Sequence, residues 1–281
     1  MMLAMSNIAW SPDERIGAYA ILAEAGFTGL EIAPGLFFHA AADPFLPDEK
    51  TARDALDEAR DAGLSLVSMQ SLLFGVTGAG LFEGADARAA FEAGMIRAIT
   101  LAGRFGVPNL VFGSPAQRRV PEGMAMEAAL GQAADVFRRL GDAAAAAGTR
   151  IAIEPNPAAY GTNFLNTLDA ADGFAQAVCH PAIALILDLG AMHMNGEFAS
   201  VPARLPALTA RLNHVHVSEP DLAPAPAEAA SLVPVLKGLR HAGYANAVSI
   251  EMKRPAGGLD DVRQAAARLA AAHRSVEAVH A

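Results

Sequence analysis

Four acidic or histidine side chains stand at the ends of short apolar segments, and together they have the chemistry of a metal site. Glu154 ends the segment IAIE, Asp188 ends LILD, His216 lies in HVHV and Glu251 ends VSIE. A carboxylate at the end of an apolar segment needs a partner, because burying an unpaired charge is costly. One divalent cation shared by the four residues would supply it.

Three oxygen ligands and one imidazole nitrogen suit a hard or borderline ion. Mn²⁺ is the preferred ion, and Mg²⁺, Co²⁺ and Zn²⁺ are the alternatives. The competing interpretation is that these acids cap helix N-termini or pair with arginines of the following loops. That interpretation explains a single acid as well as a metal does, but it does not explain why the pattern recurs at four successive segments.

Other polar residues close to the ends of apolar segments are candidates for substrate binding. Glu31 and Gln70 follow the second and third segments, where each could bind a polyhydroxyl substrate or form a structural hydrogen bond. His193 follows Asp188 by five residues and could contact substrate or be solvated. Arg118 and Arg119 follow the fourth segment and could bind a phosphate, but they are interpreted as part of a solvated loop.

The alternation of side chains along a strand adds further candidates. Lys253 lies two residues after Glu251, which predicts an inward-facing side chain that pairs with this carboxylate or, alternatively, forms a Schiff base. His214 lies two residues before His216 and is expected one layer deeper, as a supporting or core residue. Tyr160 follows the fifth segment and could exclude water from a site or stack on a sugar.

Strand-like and helix-like segments alternate along the whole chain, eight of each. Glycines that follow five of the helical segments, and Ser11-Pro12 before the first, are typical of helix ends. The strands are predicted at residues 3–9, 29–33, 65–69, 109–113, 150–154, 184–188, 213–217 and 247–251. The helices are predicted at residues 12–25, 49–62, 86–105, 123–147, 167–179, 199–211, 228–242 and 259–279.

Eight successive strand–helix units predict a (β/α)₈ TIM barrel that forms a single domain over residues 1–281. In such a barrel the C-terminal ends of the strands meet at one rim, where catalytic residues lie. The alternative is a doubly wound open sheet, which would usually need a glycine-rich phosphate loop after an early strand, and no GxGxxG motif occurs there.

Net charge, cysteine content and the lengths of apolar runs exclude several kinds of binding partner and cellular location. The net charge of −9 argues against binding to a nucleic-acid backbone. A single cysteine, Cys179, excludes an intrachain disulfide and a cysteine-based zinc site. The sequence contains no apolar run long enough for a membrane span and no signal-peptide pattern, so we expect a cytoplasmic protein. The alanine-rich helices would permit a homo-oligomer.

The strand-end motifs resemble those of the sugar isomerase and epimerase families with a xylose-isomerase-like barrel. This group includes ketose 3-epimerases, hydroxypyruvate isomerases and inosose dehydratases. The resemblance runs from GLEIAP to VSIEM and is most specific where the IEP, LD, HVHVSE and IEM strand ends follow in the family's order. It implies one divalent metal on the four strand-end residues, with Glu154 and Glu251 as an acid/base pair, and it implies that His193 contacts substrate.

The sequence also departs from the epimerases of this group. The HMN motif that contains His193 follows the metal aspartate by five residues, where the epimerases have three. Leu222 occupies the position of a family arginine, and Tyr160 occupies that of a substrate-binding glutamate. The residues that recognise the sugar therefore differ from those of the epimerases.

The resemblance implies proton abstraction next to a carbonyl, through a metal-stabilised ene-diolate of a small sugar or keto-polyol. Return of the proton to the opposite face gives epimerisation, and its return to the adjacent carbon gives isomerisation. Loss of a β-hydroxyl gives dehydration, as in the inosose dehydratases. The sequence does not choose among these three reactions.

Three functions from other classes are alternatives. A Schiff-base aldolase would use Lys253, and a non-catalytic sugar-binding protein would bind ligand without proton exchange. A metal-dependent nuclease of the abasic-site type shares the barrel but needs several metals and more histidine ligands. The acidic net charge disfavours it, and four of the eight histidines are expected to be peripheral, namely His180, His241, His273 and His280.

Overall fold

The computed structural model describes residues 1–278, so His280 and the last residue of the predicted helix 259–279 lie outside the described residues. Eight parallel strands form a closed barrel in which neighbouring strands follow the order of the chain. The predicted (β/α)₈ TIM barrel is therefore confirmed. The strands are β1 Met2–Ser6, β2 Gly29–Ile32, β3 Ser65–Met69, β4 Asn109–Phe112, β5 Arg150–Ile153, β6 Ile183–Asp188, β7 Leu212–Val217 and β8 Ala247–Ile250.

Five of the strands end earlier than predicted, and β1 differs most. Residues 7–9 form a 3₁₀ turn instead of strand, because the Ser6 hydroxyl accepts a hydrogen bond from the Ile8 amide at 3.4 Å. Glu154 and Glu251 are the first residues after β5 and β8. Their amides still donate to Phe112 and Val217 carbonyls at 3.1 and 3.0 Å, so sheet hydrogen bonding fixes the backbone of both acids.

The eight predicted helices all form, with ends within three residues of the predicted ones. Two further helices, α2 and α7, begin within two residues of the end of a strand and are too short to show an apolar period. No helix in the described part of the chain has both the length and the apolarity of a membrane span. The helices are α1 Arg15–Glu24, α2 Pro34–Phe37, α3 Glu49–Asp61, α4 Ala85–Phe105, α5 Met126–Ala146, α6 Leu168–Val178, α7 Leu189–Met194, α8 Val201–Leu208, α9 Ala229–His241 and α10 Leu259–Glu277.

The first of two compact units, unit 1, comprises Met1–Val67 and the chain from Asp188 onward. Its strands β7, β8, β1 and β2 are successive neighbours. Helices α8, α9, α10 and α1 pack each against the next. Leu205, Leu236 and Leu269 are almost fully buried on these helices, so burial of their apolar faces stabilises the unit.

An ion pair joins two chain-distant segments of unit 1. Glu14 reaches back to the Ser11 amide at 2.9 Å as part of a capping box before α1. The same carboxylate accepts two hydrogen bonds from Arg254, at 2.7 and 2.8 Å. Arg254 lies between β8 and α10, so the pair ties the C-terminal end of β8 to the start of α1.

The second unit, unit 2, comprises Ser68–Leu187, with strands β4 to β6 and helices α4 to α6. Val111, Ala152 and Ala184 are register partners on three neighbouring strands and form one buried cluster with Ile186. Phenylalanine rings of the unit pack against one another, with ring centroids 4.9–6.3 Å apart. Because side chains alternate along a strand, Glu154 shares the face of Ala152.

Candidate metal centre

Three predicted metal ligands from unit 1 converge where β6, β7 and β8 end. One ligand atom from each of Asp188, His216 and Glu251 lies within 4.8 Å of the others. His216 Nδ1 is 3.1 Å from Glu251 Oε2 and 3.5 Å from Asp188 Oδ2. All three residues are buried, with exposed fractions of 7% for Asp188, 0% for His216 and 7% for Glu251.

The chemistry of this donor set fits a divalent cation. Two carboxylates with oxygens within 4.8 Å of each other repel by about 3 kcal/mol or more at an effective dielectric constant of about 20. A cation between them would reverse the sign of that interaction, and carboxylate oxygens with one imidazole suit Mn²⁺ or Mg²⁺ as well as Co²⁺ and Zn²⁺.

Asp188 has a second role, which its alternative interpretation as a helix cap anticipated. Its Oδ1 accepts a hydrogen bond from the Ala191 amide at 2.6 Å and caps the N-terminus of α7. Its Oδ2 is the oxygen that faces His216. The cap thereby fixes the carboxylate with one oxygen directed at the candidate site.

The first turn of α7 packs closely on the segment that follows β7. The Gly190 amide donates to the Ser218 hydroxyl at 2.8 Å. A Cβ atom on Gly190 would lie 2.9 Å from the Glu219 carbonyl oxygen, closer than real Cβ contacts allow. Glycine is therefore needed at this position to hold α7, and with it Asp188, against the end of β7.

The other nitrogen of His216 faces Glu31. His216 Nε2 lies 3.1 Å from both carboxylate oxygens of Glu31, and His214 Nε2 lies 2.7 Å from Glu31 Oε2. Burial opposes ionisation of Glu31, but the two histidines outweigh it and hold the pKa of this carboxyl well below its usual range. Since Glu31 is fully buried, the geometry favours its structural role over contact with a substrate.

An asparagine that the sequence analysis did not single out fixes the chain after β2. The Asn7 side chain accepts a hydrogen bond from the Ala33 amide at 2.7 Å and donates to the Ala33 carbonyl at 3.4 Å. Asn7 is 2% exposed. It bridges the ends of β1 and β2 and so limits movement of Glu31. In the sequence, the only indication of this role is the position of Asn7 directly after a strand.

In unit 2, Glu154 is held by groups of the neighbouring segments. Its Oε2 accepts a hydrogen bond from Asn156 Nδ2 at 3.0 Å, and its main-chain carbonyl accepts one from Arg118 Nη2 at 2.8 Å. A Cβ atom on Gly113 would lie 2.3 Å from Oε2, so the carboxylate occupies the space that a side chain at position 113 would need. Glu154 itself is 8% exposed.

Arg118 is not part of a solvated loop, so that interpretation is wrong. Its side chain is fully buried and lies over the Phe112 ring, 5.5 Å from the centroid. Burial lowers the pKa of Arg118 to about 10, and the negative charge of Glu154 opposes that shift. The 3₁₀ turn Pro115–Arg118 turns the guanidinium inward, and nothing in the local pattern of polar residues predicts this.

Lys253 does not face inward as predicted. It is exposed, and its main-chain amide donates to the Leu222 carbonyl at 3.1 Å. The alternation of side chains holds only while the chain remains a strand, and β8 ends at Ile250. The exposed position also disfavours a Schiff-base lysine, whose pKa is lowered by burial or by neighbouring cations.

The remaining predicted substrate residues occupy different environments. His193 is exposed on α7 and stacks on Phe198, with ring centroids 3.9 Å apart and planes at 12°. Gln70 directly follows β3 and is 8% exposed. Tyr160 is half-buried at the end of a 3₁₀ turn after β5. His193 and Tyr160 therefore present surface to a ligand, and Gln70 has little.

The comparisons with known proteins agree with this architecture. A D-tagatose 3-epimerase-like protein superposes with a TM-score of 0.78 at 16% identity over 100% of both chains. D-psicose 3-epimerase from Clostridium cellulolyticum H10, solved with D-tagatose, gives 0.73 at 17% identity over 98% of this chain and 99% of that one. The structure of 3-keto-D-glucoside 4-epimerase from E. coli gives a TM-score of 0.72 at 18% identity, over 98% of this chain and 99% of that one.

At these identities the likeness to solved structures establishes the fold. No curated protein matches the sequence significantly. Residues 19–272 match the model of a family described as the xylose isomerase-like TIM barrel. Because that match covers most of the chain, and the barrel closes as the family description requires, the protein belongs to the xylose isomerase-like TIM barrel family.

Proposed function

We propose that the protein is a divalent-metal-dependent isomerase or epimerase of a small sugar or keto-polyol. The observation that carries the proposal is the convergence of His216 Nδ1 with the buried carboxylates of Asp188 and Glu251. The likeness to epimerases of D-psicose and of a 3-keto-D-glucoside supports the substrate class. Mn²⁺ is the ion that we propose first.

Glu154 is the proposed fourth ligand. Within unit 2, Ile153 of β5 pairs with Leu185 of the parallel strand β6. Glu154 directly follows the C-terminal end of β5, and Asp188 is the last residue of β6. Catalytic groups of TIM barrels lie at these C-terminal ends. Asn156 and the space above Gly113 leave the Glu154 carboxylate in one orientation, which favours a ligand over a solvated side chain.

In the proposed reaction, Glu154 and Glu251 act as the acid/base pair. A bound divalent cation supplies Lewis-acid polarisation of the substrate carbonyl. One glutamate removes the proton from the carbon beside the carbonyl, and the other delivers a proton to the resulting ene-diolate. Tyr160 and His193 are proposed to contact the sugar, with Gln70 as a hydrogen-bonding partner at the end of β3.

The proposal is tested by metal analysis of the purified protein together with NMR in D₂O against ketoses, aldoses, inososes and hydroxypyruvate. We expect about one divalent ion per chain and EDTA-sensitive entry of deuterium at a carbon beside a carbonyl. The product spectrum separates epimerisation, isomerisation and dehydration. Turnover that survives complete metal removal, or a chain that binds none of the four ions, would overturn the proposal.

A further inference from the structure

Glu31 lies on the opposite side of His216 from the candidate metal. We propose that Glu31 is a positioning residue that accepts a hydrogen bond from Nε2–H of His216, with His214 paired to the same carboxylate, and thereby directs Nδ1 of His216 at the cation. This inference rests on the proposed function for the presence of a cation. The histidine–carboxylate geometry on which it stands does not depend on that function.

The placement of protons follows from the donor and acceptor capacity of the groups. An ionised carboxylate only accepts hydrogen bonds, so the ring nitrogens that face it must carry hydrogen. His216 Nε2 lies 3.1 Å from both oxygens of Glu31, and His214 Nε2 lies 2.7 Å from one of them. His216 Nδ1 also faces a carboxylate, Glu251, at 3.1 Å. A cation bound between them requires an unprotonated Nδ1, and the single N–H of the neutral imidazole then lies on Nε2, towards Glu31.

Burial fixes the contacts between Glu31 and the two histidines. The exposed fractions are 0% for Glu31, 1% for His214 and 0% for His216, so water cannot replace the carboxylate as acceptor. Ser6 of β1 pairs with Glu31 in the sheet, and Asn7 holds the backbone of Ala33 just beyond β2. Glu31 therefore cannot move away without breaking contacts at the ends of two strands.

A second metal ion on Glu31, His214 and His216 is the competing explanation, since their ligand atoms also lie within 4.8 Å of one another. Two ligands of one ion at about 2.1 Å lie about 3 Å or more apart in tetrahedral geometry. The separation of 2.7 Å between His214 Nε2 and Glu31 Oε2 is shorter than this and leaves no room for an ion that binds both atoms. The geometry therefore favours direct pairing of Glu31 with the two histidines.

Substitution of Glu31 by glutamine tests the inference. The amide has one accepting and one donating end, so it cannot accept from both histidines in the same way, and at least one ring must reverse its tautomer. Loss of a carboxylate behind a histidine ligand typically weakens metal binding by about 10–100-fold. We expect a loss of this size for Zn²⁺ and Mn²⁺ in Glu31→Gln, measured by competition titration. Glu24→Gln, at an exposed position of α1, is the matched control and should bind like the wild type.

A second readout does not depend on activity or affinity. In protein with ¹⁵N-labelled histidine, loaded with Zn²⁺, we expect slowly exchanging Nε2–H resonances from His214 and His216, assigned with His214→Gln. At least one of these should disappear in Glu31→Gln. If that variant does not fold, Glu31→Asp keeps the charge but shortens the reach, and it should also weaken zinc binding.

The outcomes separate the inference from the function on which it rests. Unchanged affinity and unchanged Nε2–H resonances in folded Glu31→Gln would overturn the role of Glu31 and leave the metal centre standing. Two zinc ions per wild-type chain, with one lost in Glu31→Gln, would replace that role with a second metal site. If the wild type binds no cation, the proposed function fails, whereas the Nε2–H resonances of the metal-free protein still test the hydrogen bonds.

Discussion

Glu154 and Glu251 are both anchored through their backbone, so their carboxylates can be changed with little effect on the barrel. Each amide remains in the sheet hydrogen-bond pattern one residue beyond its strand. Substitution of either acid by glutamine preserves this backbone contact and the volume of the side chain. Effects of such substitutions on turnover can therefore be assigned to the carboxylate itself.

We expect Glu154→Gln and Glu251→Gln each to lower turnover at saturating metal by at least about 100-fold, because each removes one carboxylate of the proposed acid/base pair. Circular dichroism should show an unchanged fold. Glu122→Gln, at an exposed position, is the control and should keep wild-type turnover. An active glutamine variant at position 154 or 251 would exclude that residue from the acid/base pair.

At the scale of the element, α7 depends on the contact between Gly190 and the end of β7. We expect Gly190→Ala to destabilise the protein by about 1–3 kcal/mol, because the added methyl group overpacks against the Glu219 carbonyl. It should also weaken metal binding, since α7 carries the cap that orients Asp188. Urea unfolding and metal titration measure the two effects.

Gly131 provides the matched control for that substitution. It lies inside α5, and a Cβ atom there would have nothing within 4 Å. Gly131→Ala should therefore stabilise the helix by about 0.5–1 kcal/mol and leave metal binding unchanged. Equal effects of the two substitutions would show that the contact of Gly190 with Glu219 does not matter.

The segment before α1 should make the protein sensitive to acid. The Arg254 side chain and Ser11 together lower the pKa of Glu14 from 4.5 to about 2. A carboxylate whose pKa is lower in the folded state stabilises the fold fully above its unfolded pKa. That stabilisation is lost as the pH falls from about 4.5 through about 2.

We therefore expect the urea midpoint of the wild type to fall more steeply below pH 4.5 than that of Glu14→Gln, which lacks the titrating group. Glu127→Gln, at an exposed position, serves as the control for removal of a glutamate. Identical pH profiles for the wild type and Glu14→Gln would mean that the ion pair with Arg254 contributes nothing to stability.

At the scale of the whole molecule, we propose that residues 1–281 form one cooperative domain, although the described chain divides into two compact units. Strand β3 contributes residues to both units, and so does β6, because the divisions fall after Val67 and after Leu187. Unfolding one unit would break both strands. We expect a single calorimetric transition with equal calorimetric and van't Hoff enthalpies; two separated transitions would contradict the single domain.

The strand–helix pattern repeats along the chain, and this repetition made the barrel and its rim predictable. Each strand–helix unit repeats the same pattern of apolar segment, turn and amphipathic helix, so errors at single boundaries do not change the topology. The proximity of Asp188, His216 and Glu251 was predicted from their shared position at strand ends, and one ligand atom of each lies within 4.8 Å of the others.

The orientation of side chains beyond the strand ends could not be predicted from the sequence. The inward turn of Arg118, the outward position of Lys253 and the helix α7 all lie beyond the last residue of a strand. There the two-residue alternation no longer applies, and packing against segments distant in the sequence decides where a side chain points. The requirement for glycine at positions 113 and 190 belongs to the same class.

The double role of Asp188 has a consequence for the choice between ions of different size. Oδ1 already accepts a hydrogen bond from the Ala191 amide, and Oδ2 is the oxygen that faces His216 and the candidate site. Calcium, with about six to eight oxygen ligands, often takes both oxygens of one carboxylate, whereas the smaller Mg²⁺ binds compactly with fewer contacts. Bidentate binding here would cost the N-terminal cap of α7. If the proposed centre holds a cation, we therefore expect the cap of this six-residue helix to disfavour large ions, so that Ca²⁺ competes poorly with Mn²⁺.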